Sequence, residues 1–190
     1  MSACVCAASE GHLECLKYLH EEAKAPWGSG TADLAAENGH LHILEYLVER
    51  KYDQYYEFAC ASAAKFGHLD CLKYLHETAK APWDSGTASG AAFNGHLHIL
   101  EYLVERKYDE FHELAYLYAA EKGHLDCLKY LHETAKAPWD EDALYFAHEN
   151  NHTECVQYLL DNNCPLPPGW SYEGGTLYDE FYDSEEEEEE

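Results

Sequence analysis

Basic residues are scarce in this chain. Its 190 residues hold 12 Lys and Arg against 37 Asp and Glu, a formal net charge of −25. Lys136 is the last basic residue, while 137–190 carry sixteen acidic ones. Binding to a phosphate backbone needs Lys and Arg to displace counterions, so nucleic acid is not the expected partner. Anionic membrane surfaces are set aside for the same reason. No apolar run approaches the roughly 18–20 residues of a membrane-spanning helix. The start, MSACVCAASEGH, lacks the charged leader and apolar core of a signal peptide. It reads as a first repeat helix begun partway, as in an array trimmed at its N-terminus. No segment of the repeat unit alternates like a strand. No phosphate-cradling Gly loop, nucleophile elbow or catalytic triad is visible. We expect a cytoplasmic protein, with the nucleus or a host-cell cytosol as alternatives, that is monomeric and non-enzymatic, with no catalytic residues, no cofactor and no metal.

What is present is a period. Gly11, Gly39, Gly67, Gly95, Gly123 and Asn151 stand 28 residues apart, each followed by His and, in five of six copies, then by Leu. A helical pattern inside a fixed period means a stacked array rather than one globular core. The copies are also paired. Residues 11–66 match 67–122 at 41 of 56 positions, so the chain carries its own internal alignment.

Within one unit, TADLAAENGHLHILEYLVERK (31–51), Thr31 to Asn38 forms a short helix that Gly39 ends in a left-handed cap. A second helix runs from His40 to Lys51. Its apolar residues Leu41, Ile43, Leu44, Tyr46, Leu47 and Val48 make a broad face, as in a helix sandwiched between neighbours. Alanine pairs at 7–8, 35–36, 63–64, 91–92 and 119–120 allow close approach of adjacent first helices. In copies closing with Ala-Pro, the proline stops the second helix. The expected fold is all-α, about six stacked helix pairs with short loops over 1–164. A Pro/aromatic linker and a disordered acidic tail follow over 165–190.

The run from alanine pair to second helix, AAENGHLHILEYLVER (35–50) or AAFNGHLHILEYLVER (91–106), resembles the ankyrin repeat. The resemblance covers about residues 2–164. The period is 28 rather than about 33, and the family's T-P-L-H start is replaced by Gly30–Asp33 or Gly86–Ser89, so short loops are expected where the family has a β-hairpin. It looks like the short-repeat variant of large DNA viruses and some protists. The resemblance implies protein–protein binding through a concave surface of first helices and loop tips.

The second helices barely vary between copies, whereas the first helices do. Two residues before each turn glycine stand Ser9, Glu37, Lys65, Phe93, Glu121 and Glu149. Five before stand Cys6, Leu34, Ser62, Gly90, Tyr118 and Phe146, and nine before stand Gly30, Phe58, Gly86, Leu114 and Asp142. Spacings of three and four share one helix face. A constant scaffold with one varied face points to a partner-binding surface at Leu34, Glu37, Ser62, Lys65, Phe93, Tyr118, Glu121 and Phe146, with Tyr56 and His112 as loop contacts.

Other patterns read as structure. Trp27, Tyr55, Trp83, Phe111 and Trp139 recur at one loop position. With Asp84 and Asp140 as N-caps, each Trp precedes a helix as the first half of a hydrophobic staple, Leu144 standing where a partner belongs. Cys15, Cys71, Cys127 and Cys155 alternate with Ile43 and Ile99, so all four read as reduced core thiols. Equivalent positions on neighbouring helices lie roughly 8–10 Å apart, beyond disulfide reach. His148-Glu149-Asn150-Asn151-His152 matches the H-E-x-x-H zinc pattern, but Asn151 falls on the turn and breaks the helix between the histidines. The turn histidines His12, His40, His68, His96, His124 and His152 are expected to hydrogen-bond turn backbone. After Cys164, SYEGGTLYDEFYDSEEEEEE carries ten acidic and no basic residues, a composition of disordered interaction tails. Its aromatic part, 172–182, is suited to docking on the last repeat. An alternative function is therefore a chaperone-like tail that binds basic proteins such as histones.

Overall fold

The computed structural model describes residues 2–52, 58–108, 111 and 113–179. Among them run six consecutive helix pairs: α1 Ala3–Ser9 with α2 Leu13–Lys17, α3 Thr31–Glu37 with α4 Leu41–Glu49, α5 Ala59–Lys65 with α6 Leu69–Glu77, α7 Ser85–Phe93 with α8 Leu97–Glu105, α9 Glu113–Glu121 with α10 Leu125–Tyr130, and α11 Glu141–Glu149 with α12 Thr153–Asp161. Helices α2 and α10 are prolonged by π-helical turns, Tyr18–Glu22 and Leu131–Ala135. The first helices α1, α3, α5, α7, α9 and α11 pack side by side in chain order. All five alanine pairs are buried between them.

Each pair is joined by the same tight turn. In the first five pairs the turn glycine N–H bonds to the second alanine's carbonyl, and the following His N–H to the first alanine's, as in Gly39 to Ala36 at 3.3 Å and His40 to Ala35 at 2.8 Å. In the sixth, Asn151 and His152 bond to His148 and Ala147, each at 2.9 Å. This is the Schellman arrangement, which requires positive φ at the glycine; Gly39 has φ 71°. The second helices end on a left-handed residue too, and here the proline expectation is corrected. Lys24, Lys80 and Lys136 take positive φ two residues ahead of Pro26, Pro82 and Pro138, so the chain has left the helix before proline is reached. Lys51, Lys107 and Asn163 do the same in the other copies.

The second-helix face is sandwiched as expected. Ile43, Leu44, Tyr46 and Leu47 are buried, with Leu41 and Val48 half-buried. Fully burying one such aliphatic side chain contributes roughly 1.5–3 kcal/mol. All eight cysteines are free. Cys71, Cys127 and Cys155 are buried, but Cys15 is exposed, which corrects its reading as a core thiol. Among the described residues no earlier helix covers α2, and Tyr18 is 64% exposed where Tyr46 and Tyr102 are 4% and 3%.

The other departure from the expected architecture follows the last pair. Trp170–Glu173 (β1) and Thr176–Asp179 (β2) form an antiparallel hairpin across Gly174 and Gly175, both at positive φ. A two-residue Gly-Gly link suits the twist of a hairpin. Trp170 is buried against Tyr145 and His148, with ring centroids at 5.8 and 4.9 Å. The chain after the last pair is thus a docked hairpin rather than a linker, held chiefly by Trp170, which precedes the 172–182 run expected to dock. Within that run Tyr172 and Tyr178 are 37% and 46% exposed. The acidic run 180–190 lies outside the described residues.

Candidate binding face

The varied positions project from the first helices. Leu34 and Glu37 are half-buried on α3, Ser62 is half-buried and Lys65 exposed on α5, and Phe93 is half-buried on α7. Tyr118 and Glu121 on α9 and Phe146 on α11 are also half-buried. Tyr56 and His112 lie outside the described residues. Because the first helices lie side by side, these residues form a strip across the array. At the ninth position before the turn, Phe58, the N-cap residue of α5, and Leu114, on α9, are 58% and 44% exposed.

The middle of the strip is where residues come together. The Phe93 and Tyr118 rings meet edge to face at 5.5 Å, and the Lys122 ammonium lies 4.7 Å from the Phe93 centroid. A hollow of about 230 Å³ is lined by Lys65, Gly86, Ser89, Gly90, Phe93 and Tyr118. Gly90 makes room for it, since a Cβ there would approach the Lys65 Cβ to 3.1 Å. Leu34, Glu37 and Phe146 do not line this hollow; Phe146 instead meets Tyr145 at 5.3 Å. Ser89 and Lys122 were not singled out from the sequence. Both stand where the halves 11–66 and 67–122 differ (Asp33 against Ser89, Phe66 against Lys122), so the internal alignment carried the signal.

The loop tryptophans belong to the scaffold. Trp27, Trp83 and Trp139 stack on His20, His76 and His132 at 4.1, 3.6 and 4.2 Å. Burial lowers the His76 pKa below its ordinary 6.5. Asp84 completes a capping box with Thr87, and the Asp140 carboxylate accepts from the Asp142 N–H. Leu144 is fully buried in the core that Trp139 packs against. The principal partner of each Trp ring is therefore the histidine before it. Tyr55 lies outside the described residues.

The turn histidines bond backbone across repeats. Nε2 of His40, His68, His124 and His152 lies 3.0, 2.9, 3.1 and 2.9 Å from the carbonyl oxygens of Ser9, Glu37, Phe93 and Glu121. His148 and His152 stand on either side of Asn151, whose φ is 60°. The H-E-x-x-H pattern thus spans a turn, with His152 on the Glu121 carbonyl and His148 against Trp170. No cluster of three metal-ligating side chains occurs among the described residues, and none of their helices is long and apolar enough to cross a membrane.

Stacked helix pairs, a Schellman turn at each Gly-His and a repeated inter-repeat histidine bond define the architecture. A family model for ankyrin repeats matches three times, over residues 3–85, 32–113 and 88–167. The chain belongs to the ankyrin repeat family. Ankyrin repeats are in general protein–protein interaction modules. No curated protein matches this chain.

Proposed function

We propose that this ankyrin array is a non-enzymatic binding module that grips a partner protein with its first-helix face and loop tips. Leu34, Glu37, Ser62, Lys65, Phe93, Tyr118, Glu121 and Phe146 would carry the contacts, joined by Tyr56 and His112 from the loops. The supporting observation is the contrast between second helices repeated almost unchanged from one half of the duplication to the other, α4 and α8 being identical, and a first-helix strip that varies while leaving Phe58 and Leu114 exposed. Exposed apolar side chains gathered on one face mark an interaction surface. The acidic tail offers the second reading, a binder of basic proteins.

A lysate pull-down with three forms separates the two: the full chain, residues 1–179, and the full chain carrying Phe58→Glu and Leu114→Glu. The shortened form ends after the hairpin so that the last repeat keeps its cover. The first reading expects a partner kept by 1–179 at high salt and lost by the double variant. Retention by the double variant, together with loss on tail removal or at high salt, would move the function to the tail, because screening weakens exposed charge pairs.

A further inference from the structure

We propose that the hollow between α5, α7 and α9 receives a carboxylate-bearing side chain next to an apolar one, both from an extended segment of the partner protein. This rests on the first-helix reading above and names the chemistry of its central subsite.

The near-duplicate halves carry the argument. They agree at 41 of 56 positions, yet five of the six lining residues differ from their counterparts: Lys65 from Glu121, Ser89 from Asp33, Gly90 from Leu34, Phe93 from Glu37 and Tyr118 from Ser62. Gly86 alone is shared, with Gly30. Change has therefore gathered at this spot within a conservative duplication. Its direction is coherent. Leu34, which would fill the floor, is replaced by Gly90. The acidic pair Asp33 and Glu37 is replaced by Ser89 and Phe93, and Ser62 by the Tyr118 ring.

The charge at the mouth is opposite to that of the molecule. On a chain of net charge −25, the Lys65 side chain is exposed, and among the described residues its ammonium has no carboxylate within ion-pair distance. Lys122 lies over the Phe93 ring and pairs with Glu121 at 2.8 Å, whereas the Lys65 ammonium lies 5.7 Å from the Phe66 ring centroid with its charge uncompensated by a carboxylate among the described residues. Two aromatic walls suit an apolar or aromatic side chain, and the exposed Lys65 side chain lining the same hollow suits a carboxylate. A basic segment would meet repulsion here and attraction at Asp33 and Glu37.

The test is a random nonapeptide phage library selected on the folded full chain and, separately, on Lys65→Glu. We expect the native chain to enrich Asp or Glu adjacent to Phe, Tyr or Leu. Lys65→Glu should switch the charged position to Lys or Arg and weaken the original peptides about tenfold or more, the scale of one close charge pair. Phe93→Ala should weaken them as well, with thermal melting of both variants confirming that they remain folded. Enrichment without acidic residues, or a preference unchanged by Lys65→Glu, would overturn the inference. If the selected peptides respond to Phe58→Glu or Leu34→Glu but not to Lys65→Glu, the hollow fails while the first-helix reading stands. If they respond to no first-helix substitution, both fail. The tail run 179–183, DEFYD, has the same chemistry; peptide binding seen only after removal of 180–190 would overturn an external occupant in favour of the chain's own tail.

Discussion

Two residues show how one position is decided by its neighbours. Gly39 is needed for its positive φ and because a Cβ there would come within 2.7 Å of the His68 ring of the next copy. Asn151 holds the same turn at φ 60° in the sixth copy, which no seventh turn histidine follows. The first constraint remains and the second is gone, and Asn tolerates the left-handed region well enough to meet the first. Tyr116 is the converse, a large residue where other copies carry Ala32, Cys60, Ala88 or Leu144. It is fully buried, and among the described residues its hydroxyl has no hydrogen-bond partner. An unsatisfied buried hydroxyl costs about 1–3 kcal/mol. Tyr116→Phe should therefore leave stability unchanged or raise it by up to about 2 kcal/mol, read as the urea midpoint; a clear loss would mean that the hydroxyl is paired.

At the scale of elements, adjacent copies are fastened in alternating ways. From an odd copy to the next even one, Tyr46 donates to Glu21 at 3.1 Å and Tyr102 to Glu77 at 3.1 Å, with Arg50 and Arg106 joining the same carboxylates. Tyr52 and Tyr108 tie back to the carbonyls of Gly28 and Asp84, and Cys164 to that of Asp140. The paired duplication thus has a structural counterpart. The C-terminal hairpin closes the stack. Each repeat of a solenoid depends mainly on its neighbours, so Trp170→Ala should act locally. Hydrogen exchange should speed up first in α11 and α12 while α3 to α8 keep their protection. Uniform loss of protection along the array would contradict this nearest-neighbour behaviour.

For the whole molecule, buried titratable groups set a pH window. Burial is the chief cause of the lowered pKa values of His76 and His96, and the charge of His98 adds to it at His96. Both rings are then protonated more readily in the unfolded chain, so stability falls as pH drops from about 6.5 through the lower folded values. Burial pushes the thiols of Cys60, Cys127 and Cys164 up to about 12 and those of Cys71 and Cys155 up to about 11, from an ordinary 9.0. Unfolded thiols ionise first, so stability also falls as pH rises above 9 toward the folded values. Melting temperature should be flat between about pH 7 and 8.5 and decline on both sides. A melting temperature that climbs steadily below pH 6 would show that relief of repulsion among the 37 acidic residues outweighs the histidine contribution.

The period, the Gly-His turns and the broad apolar face of 41–48 were legible from sequence, because each rests on local backbone geometry or on the spacing of side chains along one helix. The varied first-helix face was legible for the same reason. The hairpin at 170–179 was signalled by Gly174-Gly175 between strand-like flanks, yet its seat on Tyr145 and His148 required the last pair to be in place. The left-handed lysines, the exposure of Cys15 and the histidine stacks on Trp27, Trp83 and Trp139 follow from what lies beside each residue in space. So does the hollow: Lys65, Gly90 and Tyr118 belong to three helices, each 28 residues from the next repeat. Spacing along a chain determines which residues share a helix face. Only the stacking of the helices decides which faces meet, because contacts between repeats depend on shape and burial that no single repeat contains.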